Sequence, residues 1–182
     1  MQAEATLDET YFRPTLTLPL GHLIRISLYW LGLTAIDGAV GLFIQNRVNF
    51  GPFAVDPLEV GRVLFLLSIP VAVISILVQP TVGSISDYTV SRWGRRKPYI
   101  VIGSVLDVVF LVGIATSNTI LMLGAFAALL SVSTNIARGP FQGYVPDLVA
   151  EPQVGLASGM VGLMQVVGNV TGFLLVSLSV TC

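Results

Sequence analysis

The stretch Val60–Ile85 reads VGRVLFLLSIPVAVISILVQPTVGSI and decides the fold class. It contains a single charged residue, Arg62. A helix that crosses the hydrocarbon core of a bilayer needs about 20 consecutive, mostly apolar residues. This stretch is long enough and apolar enough to do so, and its near-continuous apolar character would be hard to bury in a small soluble domain. We therefore predict a membrane-spanning helix here.

Four further stretches have the same character, and polar or proline-containing segments separate them. We predict an all-α membrane protein with about five transmembrane helices, preceded by a polar segment at residues 1–22. The region 23–182 then contains the predicted spans, at about residues 23–44, 60–85, 99–116, 120–136 and 155–180.

Composition supports a membrane protein and excludes several functional classes. Hydrophobic residues make up 54% of the 182 residues and charged residues 10%, whereas soluble domains carry about 25% charged residues. The net charge of −1 provides no field that would attract nucleic acid. The sequence shows no paired catalytic carboxylates, no nucleophile with a base and no phosphate-binding glycine loop. We predict that the protein is not an enzyme and binds no cofactor, metal or nucleic acid.

The positions of Lys and Arg predict the orientation in the membrane. With the N-terminus in the cytoplasm, seven of the nine basic residues fall on the cytoplasmic side, as the positive-inside rule favours. Arg47 and Arg62 fall outside. We therefore predict a multi-pass protein of the cell membrane with a cytoplasmic N-terminus. The seven residues on the cytoplasmic side are Arg13, Arg25, Arg92, Arg95, Arg96, Lys97 and Arg138.

Two segments resemble a known family of transporters. Residues 83–98 read GSISDYTVSRWGRRKP, which resembles the loop signature of the major facilitator superfamily: a Gly, an Asp four residues later, then a Gly followed by basic residues. The longer form of this loop is similar to that of the sugar–cation symporters, which include the glycoside–pentoside–hexuronide carriers and the sucrose–proton symporters. Residues 138–148, RGPFQGYVPDL, are similar to the segment between the fourth and fifth helices of those carriers.

The resemblance implies a fold and a function. Carriers of this kind have twelve helices in two six-helix halves, so the chain is expected to be an N-terminal fragment that provides most of the first half and lacks its C-terminal helices. The implied function is secondary active, cation-coupled uptake of a sugar by alternating access, with the proton as coupling ion and sodium as the alternative. Two other functions stay open: a carrier for another solute, such as a drug or a carboxylate, and a small membrane scaffold protein that transports nothing.

The resemblance also implies a conformational gate at the cytoplasmic surface. Asp87, Arg95 and Asp147 are expected to form a charge network, and Gly83 to allow close approach of two helices. The alternative is a basic loop that only sets topology. The gate residues implied by the two segments are Gly83, Asp87, Arg92, Gly94, Arg95, Arg96, Arg138 and Asp147. Glycine and proline at Gly139 and Pro140 are helix-ending signals, so the fourth helix is expected to end before them.

Two aspartates lie deep in the predicted spans, Asp37 in the first and Asp107 in the third. A charge at the bilayer centre costs about 2.5–3.5 kcal/mol on insertion scales, and such residues usually face a polar cavity or a partner. Both are candidates for coupling-ion or substrate binding. Gly38 and Gly41 predict a local break of the helix at Asp37. The alternatives are a carboxylate that caps a kink at Asp37 and a helix-joining hydrogen bond at Asp107.

Other polar and aromatic side chains are candidates to line a sugar-binding cavity. Several of them share a helix face by spacing, and an aromatic ring beside amide groups is a suitable surface for a sugar. The alternatives are an interfacial role for the aromatic residue and helix-joining hydrogen bonds for the amides. These candidates are Trp30, Thr34, Asn135, Gln165 and Asn169.

Overall fold

The structure is a computed structural model that describes residues 17–51, 53, 55–89 and 96–181; at 144–147, 180 and 181 only the backbone is described. The described part is all-α, as predicted. It forms five long helices and one 3₁₀ turn, Glu151–Gln153. The helices are α1 Leu20–Phe50, α2 Val60–Tyr88, α3 Lys97–Thr116, α4 Ile120–Leu148 and α5 Val154–Thr181. All five long helices contain a segment long and apolar enough to cross a membrane.

The predicted end of the fourth helix is wrong. α4 continues past residue 136, through Gly139 and Pro140, to Leu148. Proline removes one backbone donor from a helix, but tertiary contacts stabilise the helix here. Pro140 is fully buried, and its carbonyl accepts a hydrogen bond of 3.1 Å from the Arg96 guanidinium. Packing against the neighbouring helices therefore outweighs the local signal.

The predicted break in the first helix is also wrong, because α1 is continuous through Asp37 and Gly41. Gly38 has a different role. A Cβ atom there would lie 2.6 Å from Oδ1 of Asn169 on α5, so the glycine allows α1 and α5 to approach closely. Gly168 and Gly172 of α5 face the α1 backbone at the same seam. Small residues at such an interface are the usual basis of close helix packing in membranes.

The five helices form two groups. α1 packs along α5, while α3 and α2 both pack against α4; α1 has few contacts with α2 and α4. We call these the α1–α5 group and the α2–α3–α4 group. Large apolar side chains are exposed along α2, α3 and α5, so the outer surface of the bundle has the character that a lipid-facing surface requires.

The α3–α4 seam combines backbone contact with buried hydrogen bonds. At Gly103 a Cβ atom would lie 2.7 Å from the carbonyl oxygen of Ser133 and 2.8 Å from the backbone nitrogen of Ala137. The Asp107 side chain is 2% exposed, and its Oδ1 accepts hydrogen bonds from the hydroxyls of Ser133 and Thr134. Asp107 therefore joins α3 to α4.

Different contacts stabilise the two ends of the bundle. At the end where α1 finishes, which we call the Arg47 end, the Arg47 guanidinium donates to the carbonyl of Ser117 just after α3. It also lies 5.6 Å and 5.4 Å from the ring centroids of Phe43 and Phe53. A cation at a helix C-terminus binds carbonyls that lack intrahelical partners. The opposite end, where α2 finishes, we call the Asp87 end.

We expect Gly103→Ala to destabilise the protein, because the added methyl group would meet the α4 backbone, which cannot move without shifting the helix. Overpacking of this kind typically costs about 1–3 kcal/mol. The matched control is Gly162→Ala on α5, where a Cβ atom would meet nothing within 4 Å; alanine there favours the helix by up to about 1 kcal/mol. Thermal unfolding in detergent measures both effects. Equal unfolding temperatures for the two variants would contradict the proposed contact.

Candidate functional site

A cavity of about 350 Å³ lies between α1, α2 and α4, where the two helix groups face each other. Its wall is polar near the middle of the helices and apolar towards the Arg47 end. The polar residues in the wall are Asp37, Ser68, Ser75, Ser131, Thr134, Asn135 and Arg138, of which Ser68 lies in its apolar part. The apolar part of the wall includes Val40, Ile44, Leu64, Leu67 and Leu123.

An ion pair joins the two helix groups at the polar end of the cavity. The Arg138 guanidinium on α4 donates to the Asp37 carboxylate on α1. The Cζ atom of Arg138 also lies 5.9 Å from the ring centroid of Trp30. Asp37 and Arg138 are the charged residues in the described lining of the cavity, so their opposite charges leave this wall neutral overall.

Asn135 is the centre of a hydrogen-bond network beside this ion pair. Its side-chain nitrogen donates to the carbonyl of Ser131 at 2.7 Å and to the hydroxyl of Ser75 at 3.0 Å. The two serine hydroxyls are 3.1 Å apart, and the Ser131 hydroxyl also donates to the carbonyl of Val71. The network therefore connects α2 to α4. Oδ1 of Asn135 is buried and has no hydrogen-bond partner in the described part of the chain.

A cluster of aromatic side chains stabilises Arg138 from behind the cavity wall. The ring centroid of Phe141 lies 4.2 Å from that of Tyr29 and 5.8 Å from that of Trp30. Trp30 is 5% exposed and lies outside the lining of this cavity. Its indole nitrogen has no hydrogen-bond partner among the described residues. Trp30 therefore supports the charged wall from outside the cavity.

The remaining cavity candidates from the sequence lie elsewhere. Asp107 is buried between α3 and α4 and does not line this cavity. The Thr34 hydroxyl donates to the carbonyl of Trp30 in its own helix, and the residue faces Gly168 of α5. Asn169 contacts Gly38 at the α1–α5 seam, and Gln165 is half-buried on the same helix. Of the seven candidates for coupling or substrate binding, Asp37 and Asn135 line this cavity.

At the Asp87 end, one arginine connects three helices. Arg96, just before α3, forms an ion pair of 2.7 Å with Asp87 near the end of α2. It also donates to the carbonyl of Pro140 in α4. The sequence predicted a charge network of Asp87, Arg95 and Asp147, and the pair that the structure describes at Asp87 is with Arg96. Arg92, Gly94 and Arg95 lie outside the described residues, as does the side chain of Asp147.

Gly83 lies at the contact between α2 and α4, but a Cβ atom there would be at an ordinary van der Waals distance from α4. Its facing residue is Gly139 of α4, at 3.8 Å between an added Cβ atom and the carbonyl oxygen. Gly139 is the tighter position, since a Cβ atom there would lie 2.6 Å from the carbonyl oxygen of Gln79. The α2–α4 seam therefore depends on Gly139 more than on Gly83.

Sequence reasoning missed several residues of the site. Ser131 and Thr134 line the cavity and precede Asn135 in the run SVSTN, and this density of polar residues inside an apolar helix was an available signal. Ser75 is one of two serines, with Ser68, between Val60 and Gln79 of α2, and Phe141 is one of nine phenylalanines. Neither residue could be identified as part of the site from the sequence, because its role depends on which helix faces it.

Comparison with known proteins identifies relatives among sugar transporters. The lactose permease of Leuconostoc lactis is 32% identical over 143 residues, which cover 71% of this chain and 22% of the permease. The general alpha-glucoside permease of Schizosaccharomyces pombe is 30% identical over 170 residues, 83% of this chain and 30% of that protein. A sucrose transport protein of Oryza sativa subsp. japonica is 31% identical over 121 residues, 53% of this chain and 22% of the relative.

These relatives are permeases or transport proteins rather than enzymes, and the aligned region spans 22 to 30% of their lengths. No solved structure matches the chain. Residues 52–180 match the MFS/sugar transport protein family, which confirms the resemblance seen in the loop signature. With its five apolar helices, the chain is a multi-pass integral membrane protein. It belongs to the MFS/sugar transport protein family.

Proposed function

We propose that this chain forms part of a secondary active transporter that carries a neutral sugar, coupled to a cation, by alternating access. The observation that supports this most directly is the cavity between the two helix groups. There the ion pair lies beside two serine hydroxyls and the Asn135 amide, whose Oδ1 has no hydrogen-bond partner among the described residues. The chain covers less than a third of the length of its relatives. The proposal therefore includes further helices, outside this chain, that complete the cavity.

The chemistry of the wall favours a neutral polyhydroxyl substrate over a carboxylate. Arg138 is the cation in the described lining, and Asp37 already pairs with it. A carboxylate substrate would have to displace Asp37 and leave that charge unpaired in an apolar surrounding, which is costly. A sugar hydroxyl can donate, so it suits the Asn135 amide oxygen, which lacks a partner among the described residues, without disturbing the ion pair. The names of the relatives, for lactose, alpha-glucosides and sucrose, agree with this choice.

Asp37 is our first candidate for the coupling site. Its side chain is 41% exposed and lines the cavity, so a proton can reach it from the solution. Protonation would remove the negative charge that binds Arg138 and so weaken the connection between the two helix groups. A sodium ion at the same carboxylate would compete with Arg138 in a similar way. Asp107 is the second candidate, although its contacts suit the joining of α3 to α4.

Alternating access requires contacts at each end of the bundle that form in one state and break in the other. We propose that the Asp87 end faces the cytoplasm, as the distribution of basic residues predicts. Arg96 connects α2, α3 and α4 there through Asp87 and Pro140. In this proposal these contacts of Arg96 form the cytoplasmic gate. The outer apolar surface of the bundle contacts membrane lipid.

Transport assays test the function. The longest reading frame that contains this chain is expressed and reconstituted in proteoliposomes, and uptake of labelled sucrose, maltose and lactose is measured under an imposed proton or sodium gradient. We expect gradient-driven accumulation of at least one disaccharide and no competition by citrate. Uptake of citrate without sugar uptake would favour a carrier for another solute. A stable protein that transports none of these compounds would favour the scaffold alternative.

We expect Asp37→Asn to abolish gradient-driven accumulation while sugar exchange across equilibrated membranes continues, because exchange does not require a net movement of the coupling ion. The comparison variant is Asp107→Asn, which keeps a hydrogen-bonding group between α3 and α4 and should retain coupling. Asp37→Asn leaves Arg138 unpaired, which can reduce the amount of folded protein. The double variant Asp37→Asn/Arg138→Gln removes both charges and is included to restore the amount of folded protein. Accumulation by Asp37→Asn at the wild-type level would remove Asp37 from the coupling site.

The gate is tested with Asp87→Asn. We expect turnover to fall about tenfold, with a smaller change in KM, because the variant loses the charge-assisted pair with Arg96 that joins three helices. The matched control is Glu59→Gln, which removes the pair with Arg62. That pair is on the surface, with side chains 53% and 73% exposed, and such pairs contribute at most about 1 kcal/mol. Equal turnover of the two variants would argue that Asp87 only sets topology.

A further inference from the structure

We propose that Oδ1 of Asn135 is the fixed acceptor for one hydroxyl group of the transported sugar, so that Asn135 determines how the substrate is oriented in the cavity. This inference rests on the proposed function and assigns one specific contact within it. Asn135 touches the substrate in this proposal, whereas Ser75 and Ser131 position the amide.

The first argument is burial without a partner. Asn135 is 3% exposed and lines the cavity, yet its Oδ1 atom has no hydrogen-bond partner in the described part of the chain. Buried polar side-chain atoms nearly always have a partner, and each exception calls for an explanation. An acceptor on a cavity-lining residue that lacks a protein partner is explained if a donor from the substrate reaches it from that cavity.

The second argument is that the amide cannot turn to satisfy itself. Its nitrogen lies 2.7 Å from the carbonyl oxygen of Ser131, which only accepts hydrogen bonds. Exchanging the two ends of the amide would place two acceptors against each other, so the network fixes the orientation. The hydroxyl of Ser75 on α2 is a second acceptor for the same NH₂ group. Oδ1 is therefore presented as an acceptor, and the substrate group that binds it must donate.

The third argument is position. Asn135 and Arg138 lie three residues apart in α4 and so share a face of the helix, and both line the cavity together with Asp37. A sugar hydroxyl bound to Asn135 is thus near the ion pair that connects the helix groups. Substrate binding and coupling would then occur at the same end of the cavity, within one turn of one helix.

Because Oδ1 accepts only, the bound hydroxyl differs from the others in a measurable way. Replacing a hydroxyl by fluorine keeps a weak acceptor but removes the donor, and replacing it by hydrogen removes both. At the position that donates to Asn135, the deoxyfluoro sugar should therefore bind as poorly as the deoxy sugar. At a position where the protein donates, the fluoro sugar should bind better than the deoxy sugar.

The first experiment uses the wild-type carrier. Whichever of sucrose, maltose or lactose is taken up fastest is compared with derivatives in which one hydroxyl is replaced by hydrogen or fluorine. We expect one position at which both replacements weaken competition by about five- to a hundredfold, the range for leaving a buried group unpaired. If every fluoro derivative binds like the parent sugar, no hydroxyl donates to the site and the proposal is overturned, even though the carrier transports sugar.

The second experiment assigns that position to Asn135. Asn135→Leu keeps a similar side-chain volume but removes the acceptor, so the parent sugar should lose affinity. The derivatives altered at the position found in the first experiment should then compete as well as the parent sugar does. Ser75→Ala removes a partner of the NH₂ group and leaves Oδ1 in place, so it should weaken all derivatives by the same factor. If Asn135→Leu also weakens every derivative in parallel, the side chain is structural and a water molecule is the occupant of Oδ1. A wild-type protein without sugar uptake would instead refute the proposed function.

Discussion

The ion pair between Asp37 and Arg138 is the interaction on which the arrangement of the helices depends. The α1–α5 group and the α2–α3–α4 group have few other contacts with each other, and this pair joins α1 to α4. Loss of either partner would leave the other charge unpaired beside the apolar wall, which is costly. The two groups must therefore meet where α1 and α4 present these side chains, and the cavity forms beside that point.

Several polar side chains of the described helices join one helix to another. Asp107 joins α3 to α4 through two hydroxyls, Asn135 joins α4 to α2, and Arg47 binds the end of α3. α4 takes part in the first two of these contacts and in the ion pair with α1. It is accordingly the most buried of the five spans. A helix that contacts three neighbours is well placed to transmit a change at one contact to the others.

The sequence predicted what depends on local composition and missed what depends on contacts between helices. Five apolar runs were sufficient to predict five spans, since length and hydropathy determine whether a helix can cross a bilayer. Asp37 was recognisable as a charge in an apolar run, but its partner lies 101 residues away and nothing local identifies it. The predicted end of α4 was wrong for the same reason: Pro140 accepts a hydrogen bond from Arg96, which lies just before another helix, α3.

Arg138, Gly139 and Pro140 are consecutive residues that contact three different helices. Arg138 binds α1, Gly139 lies against the α2 backbone, and Pro140 accepts from Arg96 at the start of α3. Each residue added to a helix turns everything beyond it by about 100°. A one-residue insertion or deletion in the preceding part of α4 would thus misdirect all three contacts at once. This stretch should vary in length far less among related proteins than the connection between α1 and α2.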